Sequence, residues 1–147
     1  MSATLPEVAS LVPHKPPMLL LDGVVSFDDR SLTARVQLTE SSPFVEDGQV
    51  PGLVAIEYMA QAIAAFAGTA RRKDGQPPKL GFLLSCREMV IDVPQLAVGD
   101  ELLVTARQVW SDATLGSFDC AVTRGGERVA AATLSVYQGD LPASGAP

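Results

Sequence analysis

Residues 52–70 read GLVAIEYMAQAIAAFAGTA, and this apolar stretch decides the fold. Before Thr69 its only strongly polar side chains are Glu57 and Gln61. Its length is about that needed to cross a bilayer. Glu57 would cost roughly 2.5–3.5 kcal/mol at the membrane centre, and the surrounding sequence is patterned as soluble β structure. The stretch is therefore predicted to be a buried core helix, with no membrane span.

Strand patterns lie on both sides of this helix. Residues 31–39 alternate apolar and polar side chains, which is typical of a half-buried strand. The predicted strands are 18–25 and 31–39 before the helix, and 80–93, 101–110, 114–123 and Glu127–Tyr137 after it, with a loop over 41–51.

This element order predicts an α+β domain in which an antiparallel sheet packs against one segregated helix. We expect a single domain over residues 1–147, with an irregular lead-in at 1–17 that contains at most one short helical turn and a frayed tail at 139–147. A helix that is apolar on nearly every side must be covered on nearly every side, so a dimer is the economical hypothesis.

Composition excludes several classes of function. The 147-residue chain has a formal net charge of −6, which does not favour binding to a phosphate backbone. It has one histidine, and Cys86 and Cys120 stand far apart, so a zinc site is not expected. Both thiols are predicted to be buried and reduced, and no apolar signal core is seen near the start, which indicates a cytoplasmic protein.

Glu57 and Gln61 are four residues apart and share one face of the helix, which continues through small residues at Ala64, Ala65 and Gly68. Such a face could line a narrow slot with a carboxyl group at one end. Alternatively, Glu57 only caps the helix or forms an ion pair with a basic residue at a subunit interface. Both interpretations remain open at this stage.

Two further features could take part in a reaction together with the carboxyl group of Glu57. Pro51-Gly52 begins the helix, and free N–H groups there could stabilise a carbonyl oxygen that gains negative charge. His14 is the only histidine and stands among prolines, which would hold it firmly. A lone histidine in a proline-rich loop is nevertheless more often a surface or packing residue.

These motifs resemble those of hotdog-fold 3-hydroxyacyl-carrier-protein dehydratases. Residues 13–15 (PHK) and 18–22 (MLLLD) resemble the family's opening motif, and 51–57 (PGLVAIE) with 59–62 (MAQA) resemble its central-helix motif. Gly81 and 98–100 (VGD) also fit. Residues 115–120 (LGSFDC) and Tyr137-Gln138 are most similar to the dehydratase-like proteins of aryl polyene biosynthesis. The resemblance implies a hotdog fold, in which an antiparallel sheet wraps around one long helix.

The resemblance also implies an activity, namely removal of water from a 3-hydroxyacyl thioester held on an acyl carrier protein, in fatty-acid or aryl-polyene-type biosynthesis. In that interpretation His14 is the base, Glu57 the acid, and the helix start at Gly52 the oxyanion donor. Gln61 and Gly81 would contact the substrate, and Gln61 could also orient Glu57. No metal or cofactor is implied. Family sites lie at a dimer interface, so acid and base could come from two chains of a homodimer or of a heterodimer with another hotdog subunit.

One departure from the family pattern matters. Fatty-acid dehydratases carry a histidine in a G-H-F-P segment about fourteen residues before the helix glutamate, and here that position is Pro43. We interpret His14 as its replacement. Two alternatives are an acyl thioesterase that uses Glu57 to activate water, and a non-catalytic subunit of a heterodimeric dehydratase.

Overall fold

One long helix forms the centre of the structure. The computed structural model describes residues 5–78 and 81–137. A 3₁₀ turn at Gly52–Val54 leads directly into helix α1, Ala55–Lys73. The predicted helix is therefore present, and it ends at Lys73, in the basic triplet 71–73 near which the sequence predicts its end. Gly75 follows with a φ of +71°, a left-handed conformation that glycine adopts without steric cost where a helix stops.

Six strands form one antiparallel sheet that packs against α1. These strands are β1 (Gly23–Phe27), β2 (Ser31–Gln37), β4 (Phe82–Ile91), β6 (Glu101–Ser111), β7 (Leu115–Arg124) and β8 (Glu127–Tyr137). Their spatial order is β1-β2-β6-β7-β8-β4, so β1 and β4 are the edges. Two short strands, β3 (Gln49–Pro51) and β5 (Gln95–Ala97), pair with each other. The α+β hotdog architecture is thus confirmed.

Two local predictions need correction. The apolar run at 18–25 was expected to be a strand, but β1 begins only at Gly23. The Met18 carbonyl and the Leu20 N–H are instead bonded to the side chain of Gln61, which holds this part of the run against α1. The loop predicted at 41–51 contains β3, which at three residues is too short to show an alternating pattern.

The core lies between the sheet and α1. Alternate residues of the central strands are buried towards the helix, among them Leu32, Ala34, Leu102, Val104, Phe118, Val122 and Leu134. By length and composition Gly52–Lys73 could cross a membrane, but half of its most apolar window is buried inside the fold. The stretch is the central core helix.

The amino-terminal segment crosses α1 at Gly68. A Cβ atom at Gly68 would lie 2.0 Å from the carbonyl oxygen of Leu11, so only glycine permits this close approach. Leu11 and Val12 are buried beneath the crossing, just after a 3₁₀ turn at Val8–Ser10. This turn agrees with the single helical turn expected in the lead-in. Residues 1–4 and the tail at 139–147 lie outside the described part of the chain.

The two cysteines have different environments. Cys120 is buried on β7, and burial raises the pKa of its thiol to about 12, with smaller contributions from Asp119 and Cys86. Cys86 is exposed on the edge strand β4 of this single chain. The prediction that both thiols are buried was therefore wrong for Cys86, because β4 is an edge strand with no neighbour on its outer side among the described residues.

Candidate active site

Gln61 is the structural centre of the site. Its side chain is completely buried, and its amide group makes three hydrogen bonds. The amide nitrogen donates to the Met18 carbonyl oxygen at 2.8 Å and to Glu57 Oε1 at 3.0 Å, while the amide oxygen accepts the Leu20 N–H at 2.8 Å. Gln61 thus ties the 18–20 segment to α1 and orients Glu57. All its polar atoms already have partners within the chain, and the direct substrate contact expected from sequence stays a prediction.

The segment held by Gln61 places His14 opposite Glu57. His14 Nε2 lies 4.0 Å from Glu57 Oε1, with 25% of the histidine side chain and 43% of the glutamate side chain exposed. This gap exceeds a direct hydrogen bond but lets a single oxygen atom lie within hydrogen-bond distance of both groups. Both groups belong to the same chain, whereas the resemblance allowed acid and base to come from different chains.

The two ring nitrogens of His14 have different surroundings. Its Nδ1 is buried and has no hydrogen-bond partner among the described residues. Only Nε2 therefore faces a polar group, and it faces the glutamate. The ring can exchange a proton with a bound molecule through Nε2, at the end that points to Glu57.

A cavity of about 690 Å³ extends from this pair along α1. His14 and Glu57 line the cavity near the beginning of α1. Arg71 and Lys73 line it near the carboxyl-terminal end of α1. Glu57 and Lys73 are sixteen positions apart, so the helix spans about 24 Å between them. The cavity lining includes the small helix residues Ala60, Ala64 and Ala67 and the apolar side chains of Ile63, Phe66, Leu83 and Val136, with Asp28, Asp29, Thr69 and Gln108 as further polar members. This shape suits an extended apolar chain.

The predicted slot is only partly realised. Glu57 and Ala64 line the cavity, and Gly81 lies in its wall. Gln61 and Gly68, which share the same helix face in sequence, are covered instead by the amino-terminal segment. The periodicity identified the face correctly but could not show which part of it another segment covers.

The N–H of Gly52 itself is not a free donor, and the role predicted for the helix start as an oxyanion donor stays a prediction. This N–H already donates to the carbonyl oxygen of Pro94 at 2.8 Å, and Gly52 is not among the residues that line the cavity. A Cβ atom here would lie 2.3 Å from the Val93 carbonyl oxygen, so the glycine serves close packing against that turn. The 51–52 motif positions the helix and supplies no free donor at Gly52.

The position at which the fatty-acid dehydratases carry their histidine is apolar here. Pro43 and Phe44 line a small cavity of about 230 Å³ with Met18, Val54 and Glu57. Phe44 is held at a φ of +70°, an uncommon conformation for a large side chain. Phe44 and the backbone of Met18 and Leu20 are parts of the site that no sequence pattern marks, because only the fold brings them beside Glu57.

The described residues contain no group of three or more histidine, cysteine, aspartate or glutamate side chains that could hold a metal ion. Among the polar residues that line the large cavity, His14 and Glu57 face each other at 4.0 Å. The chemistry that these side chains can perform is proton transfer.

Comparison with known proteins agrees with this geometry. The ApeP-like family model, described as ApeP dehydratase, matches residues 6–145. The 3-hydroxyacyl-[acyl-carrier-protein] dehydratase FabZ of Brucella melitensis is 28% identical over 144 residues, covering 91% of this chain and 87% of FabZ.

Solved structures show the same relationship. The dehydratase heterocomplex ApeI:P from Xenorhabdus doucetiae contains a chain that is 31% identical, with a TM-score of 0.88 and 93% of each chain covered. A hypothetical thioesterase from Streptococcus pneumoniae, solved with coenzyme A, is 15% identical, with a TM-score of 0.62 and 81% of this chain and 90% of that chain covered. This second likeness shows the fold alone. Because the family model spans nearly the whole chain, this protein belongs to the ApeP-like dehydratase family.

Proposed function

We propose that this chain removes water from 3-hydroxyacyl thioesters carried by an acyl carrier protein. The observation that supports this most directly is the pairing of His14 Nε2 and Glu57 Oε1 at 4.0 Å, at the end of an apolar cavity of about 690 Å³. Family membership and the FabZ relatives support the same reaction. The work of the site is general acid–base catalysis by two side chains.

In the proposed reaction, the thioester lies with its α-carbon near His14 and its β-hydroxyl oxygen near Glu57. His14 Nε2 takes the α-proton, and the electrons of that C–H bond form the new C=C bond. The β C–O bond breaks, its electron pair leaves on oxygen, and protonated Glu57 supplies the proton that completes a water molecule. The products are a 2-enoyl thioester and water. Proton return from His14 to Glu57 across the short gap resets the site.

Gln61 is proposed as a positioning residue. Its amide donates at 3.0 Å to Glu57 Oε1, the same oxygen that faces His14 Nε2, and so holds the carboxyl group opposite the histidine. Gly81 is proposed as part of the substrate-binding wall, since it lines the cavity and a Cβ atom there would come within 3.3 Å of the Tyr137 carbonyl oxygen. The acyl chain then lies along the alanine floor of α1.

The assembly is proposed to be a hotdog dimer of single-domain, cytoplasmic chains. Edge strand β4 exposes Phe82, Leu83, Leu84, Val90 and Ile91, an apolar surface that water does not favour. The ApeI:P structure is a heterocomplex, so the second subunit is either another copy or a different hotdog dehydratase. A purely non-catalytic role is disfavoured by the presence of both His14 and Glu57 in one chain.

The test is turnover by the purified chain, alone and with any co-purifying hotdog subunit. We expect a 3-hydroxyacyl thioester to yield a conjugated enoyl thioester, seen as new ultraviolet absorbance without release of free thiol. Thiol release without a double bond would instead establish the thioesterase alternative. Activity that appears only with a second subunit, and survives loss of both His14 and Glu57, would assign catalysis to that subunit.

A further inference from the structure

The face of β6 that packs against α1 changes from apolar to polar at Gln108. Leu102, Val104 and Ala106 alternate along this face and are completely buried. Gln108 is the next position on the same face, because the irregularity in the pairing of β6 begins only after it. Its side chain is half-buried and lines the large cavity. An amide therefore interrupts an otherwise apolar wall.

The amide group of Gln108 has no hydrogen-bond partner among residues 5–78 and 81–137. By contrast, the amide of Gln61 makes three hydrogen bonds, and the amide of Gln37 donates to two backbone carbonyl oxygens. The backbone of Gln108 is nevertheless fixed, because its N–H donates to the Arg30 carbonyl oxygen at 2.8 Å. Gln108 thus presents an unused donor and an unused acceptor to the cavity from a rigid strand.

Phe66 shows where Gln108 lies along α1. Gln108 is paired with Phe118 of β7, and the ring of Phe118 packs edge-on against that of Phe66, with 5.7 Å between their centroids. Phe66 follows Glu57 by nine positions, which corresponds to roughly 14 Å along the helix axis. An extended acyl chain advances about 1.3 Å per carbon, since a C–C bond is about 1.5 Å long. A chain whose third carbon lies at Glu57 therefore reaches Gln108 at about its fourteenth carbon.

The charges near this end of the cavity balance. Asp28 and Asp29 line it together with Arg71 and Lys73, two carboxylates and two cations. One oxygen of Asp28 accepts two backbone N–H groups of its own turn, and Arg71 Nε donates to a backbone carbonyl oxygen. Net charge therefore selects neither an anion nor a cation. The free amide of Gln108 favours an uncharged group, and a hydroxyl, which also donates and accepts, matches it.

From these observations we propose that Gln108 determines specificity for the far end of the acyl chain, and that the preferred substrate carries a hydroxyl group there, at about its fourteenth carbon. The inference rests on the proposed function, which places a 3-hydroxyacyl chain in this cavity. A plain alkyl chain of that length displaces water from the Gln108 amide and returns no hydrogen bond, which is unfavourable. A chain that ends in a hydroxyl group restores such a bond.

The experiment compares 3-hydroxyacyl chains of about fourteen carbons with and without a hydroxyl group on the last carbon, both as N-acetylcysteamine thioesters. With the unmodified protein we expect this hydroxyl to lower KM by about three- to tenfold, as a hydrogen bond between neutral groups does. Gln108→Leu keeps the approximate size of the side chain but removes the amide, so it should abolish or reverse the preference. Gln95→Leu is the matched control and should keep the preference, because Gln95 is exposed on β5 and lines none of the three cavities described.

A series of chain lengths tests the distance without any substitution. The advantage of the terminal hydroxyl should be greatest near about fourteen carbons and absent near about eight, where the hydroxyl would lie beside the alanine residues of α1. An advantage of equal size at every length, or one that Gln108→Leu retains, would overturn the inference. Such an effect would reflect the solubility of the substrate and not a contact with Gln108.

Binding of unreactive fatty acids, measured by calorimetry, separates this inference from the proposed function. The compounds are a saturated acid of about fourteen carbons and the same acid with a hydroxyl group on its last carbon. Stronger, Gln108-dependent binding of the hydroxylated acid, without dehydration of either thioester, would uphold the subsite and refute the reaction. Dehydration of both thioesters with equal KM would uphold the reaction and overturn the subsite.

Discussion

Replacing Gly68 by alanine tests how the amino-terminal segment controls the site. Alanine normally stabilises a helix interior by about 1 kcal/mol relative to glycine. Here the new Cβ atom would meet the Leu11 carbonyl oxygen at 2.0 Å, while ordinary contact begins at 3.4 Å. The contacting atom is backbone, so a change of side-chain rotamer cannot relieve the overlap, and the segment must move by more than 1 Å.

The expected loss of stability depends on which of two structural responses costs less free energy, detachment of the amino-terminal segment or a local shift of it. Detachment of the segment would expose Val8, Leu11 and Val12, at about 1.5–3 kcal/mol each. A local shift costs about 1–3 kcal/mol, as other overpacked sites do. After subtraction of the helix gain, we expect a net loss of about 0–2 kcal/mol and a fall in Tm of up to about 8 °C.

The effect on turnover should exceed the effect on stability. Leu11 is three residues from His14, so a displacement at Leu11 reaches the 4.0 Å gap between His14 and Glu57. Misplacement of a catalytic group by about 1 Å costs on the order of a hundredfold in rate. Thermal unfolding followed by circular dichroism, together with turnover of a 3-hydroxyacyl thioester, measures both effects.

Ala70→Gly calibrates the experiment, since Ala70 is exposed on the same helix and should lose only the propensity difference of about 1 kcal/mol. If Gly68→Ala unfolds at or above the Tm of the unmodified protein and keeps full turnover, the close crossing of Leu11 over α1 does not exist as described. A role for this crossing in positioning His14 would then be refuted.

Three further predictions concern the site and the core. His14→Ala and Glu57→Gln should each lower turnover by about a hundredfold to ten-thousandfold, and the double variant should lose little more, because the two groups act as one unit. Gln61→Leu should lower the free energy of unfolding by about 1–3 kcal/mol in chemical denaturation, since it leaves the buried Leu20 N–H without a partner, whereas Met18 is exposed. Cys120, with a pKa of about 12, should resist iodoacetamide at pH 8 until the chain is unfolded, as read by mass spectrometry.

Each of these has a result that would contradict it. Full turnover by His14→Ala beside an inactive Glu57→Gln would place the base elsewhere, with a partner subunit the first candidate. A Gln61→Leu protein as stable as the unmodified one would mean that Gln61 does not hold the 18–20 segment. Rapid labelling of Cys120 in the folded protein would show that β7 is not shielded as described.

Much of the fold was accessible from the sequence because hydrophobic periodicity is a local property. The apolar run at 52–70 predicted the central helix, and alternation over 31–39 and beyond predicted the antiparallel strands. The motif residues His14 and Glu57 were identified, and the structure places them together. The predicted length of the helix was close to the observed one because residues that end a helix, such as Gly75, act on their immediate neighbours.

What the sequence alone determined is therefore which segments form helix and strand and which few polar side chains interrupt them. Only the tertiary structure decided which polar groups remain free. Gln61 and the Gly52 N–H looked available for substrate, yet Met18, Leu20 and Pro94 satisfy them from distant parts of the chain. A buried donor or acceptor must find a partner, and that partner is chosen by the packing of elements far apart in sequence, which no local pattern records.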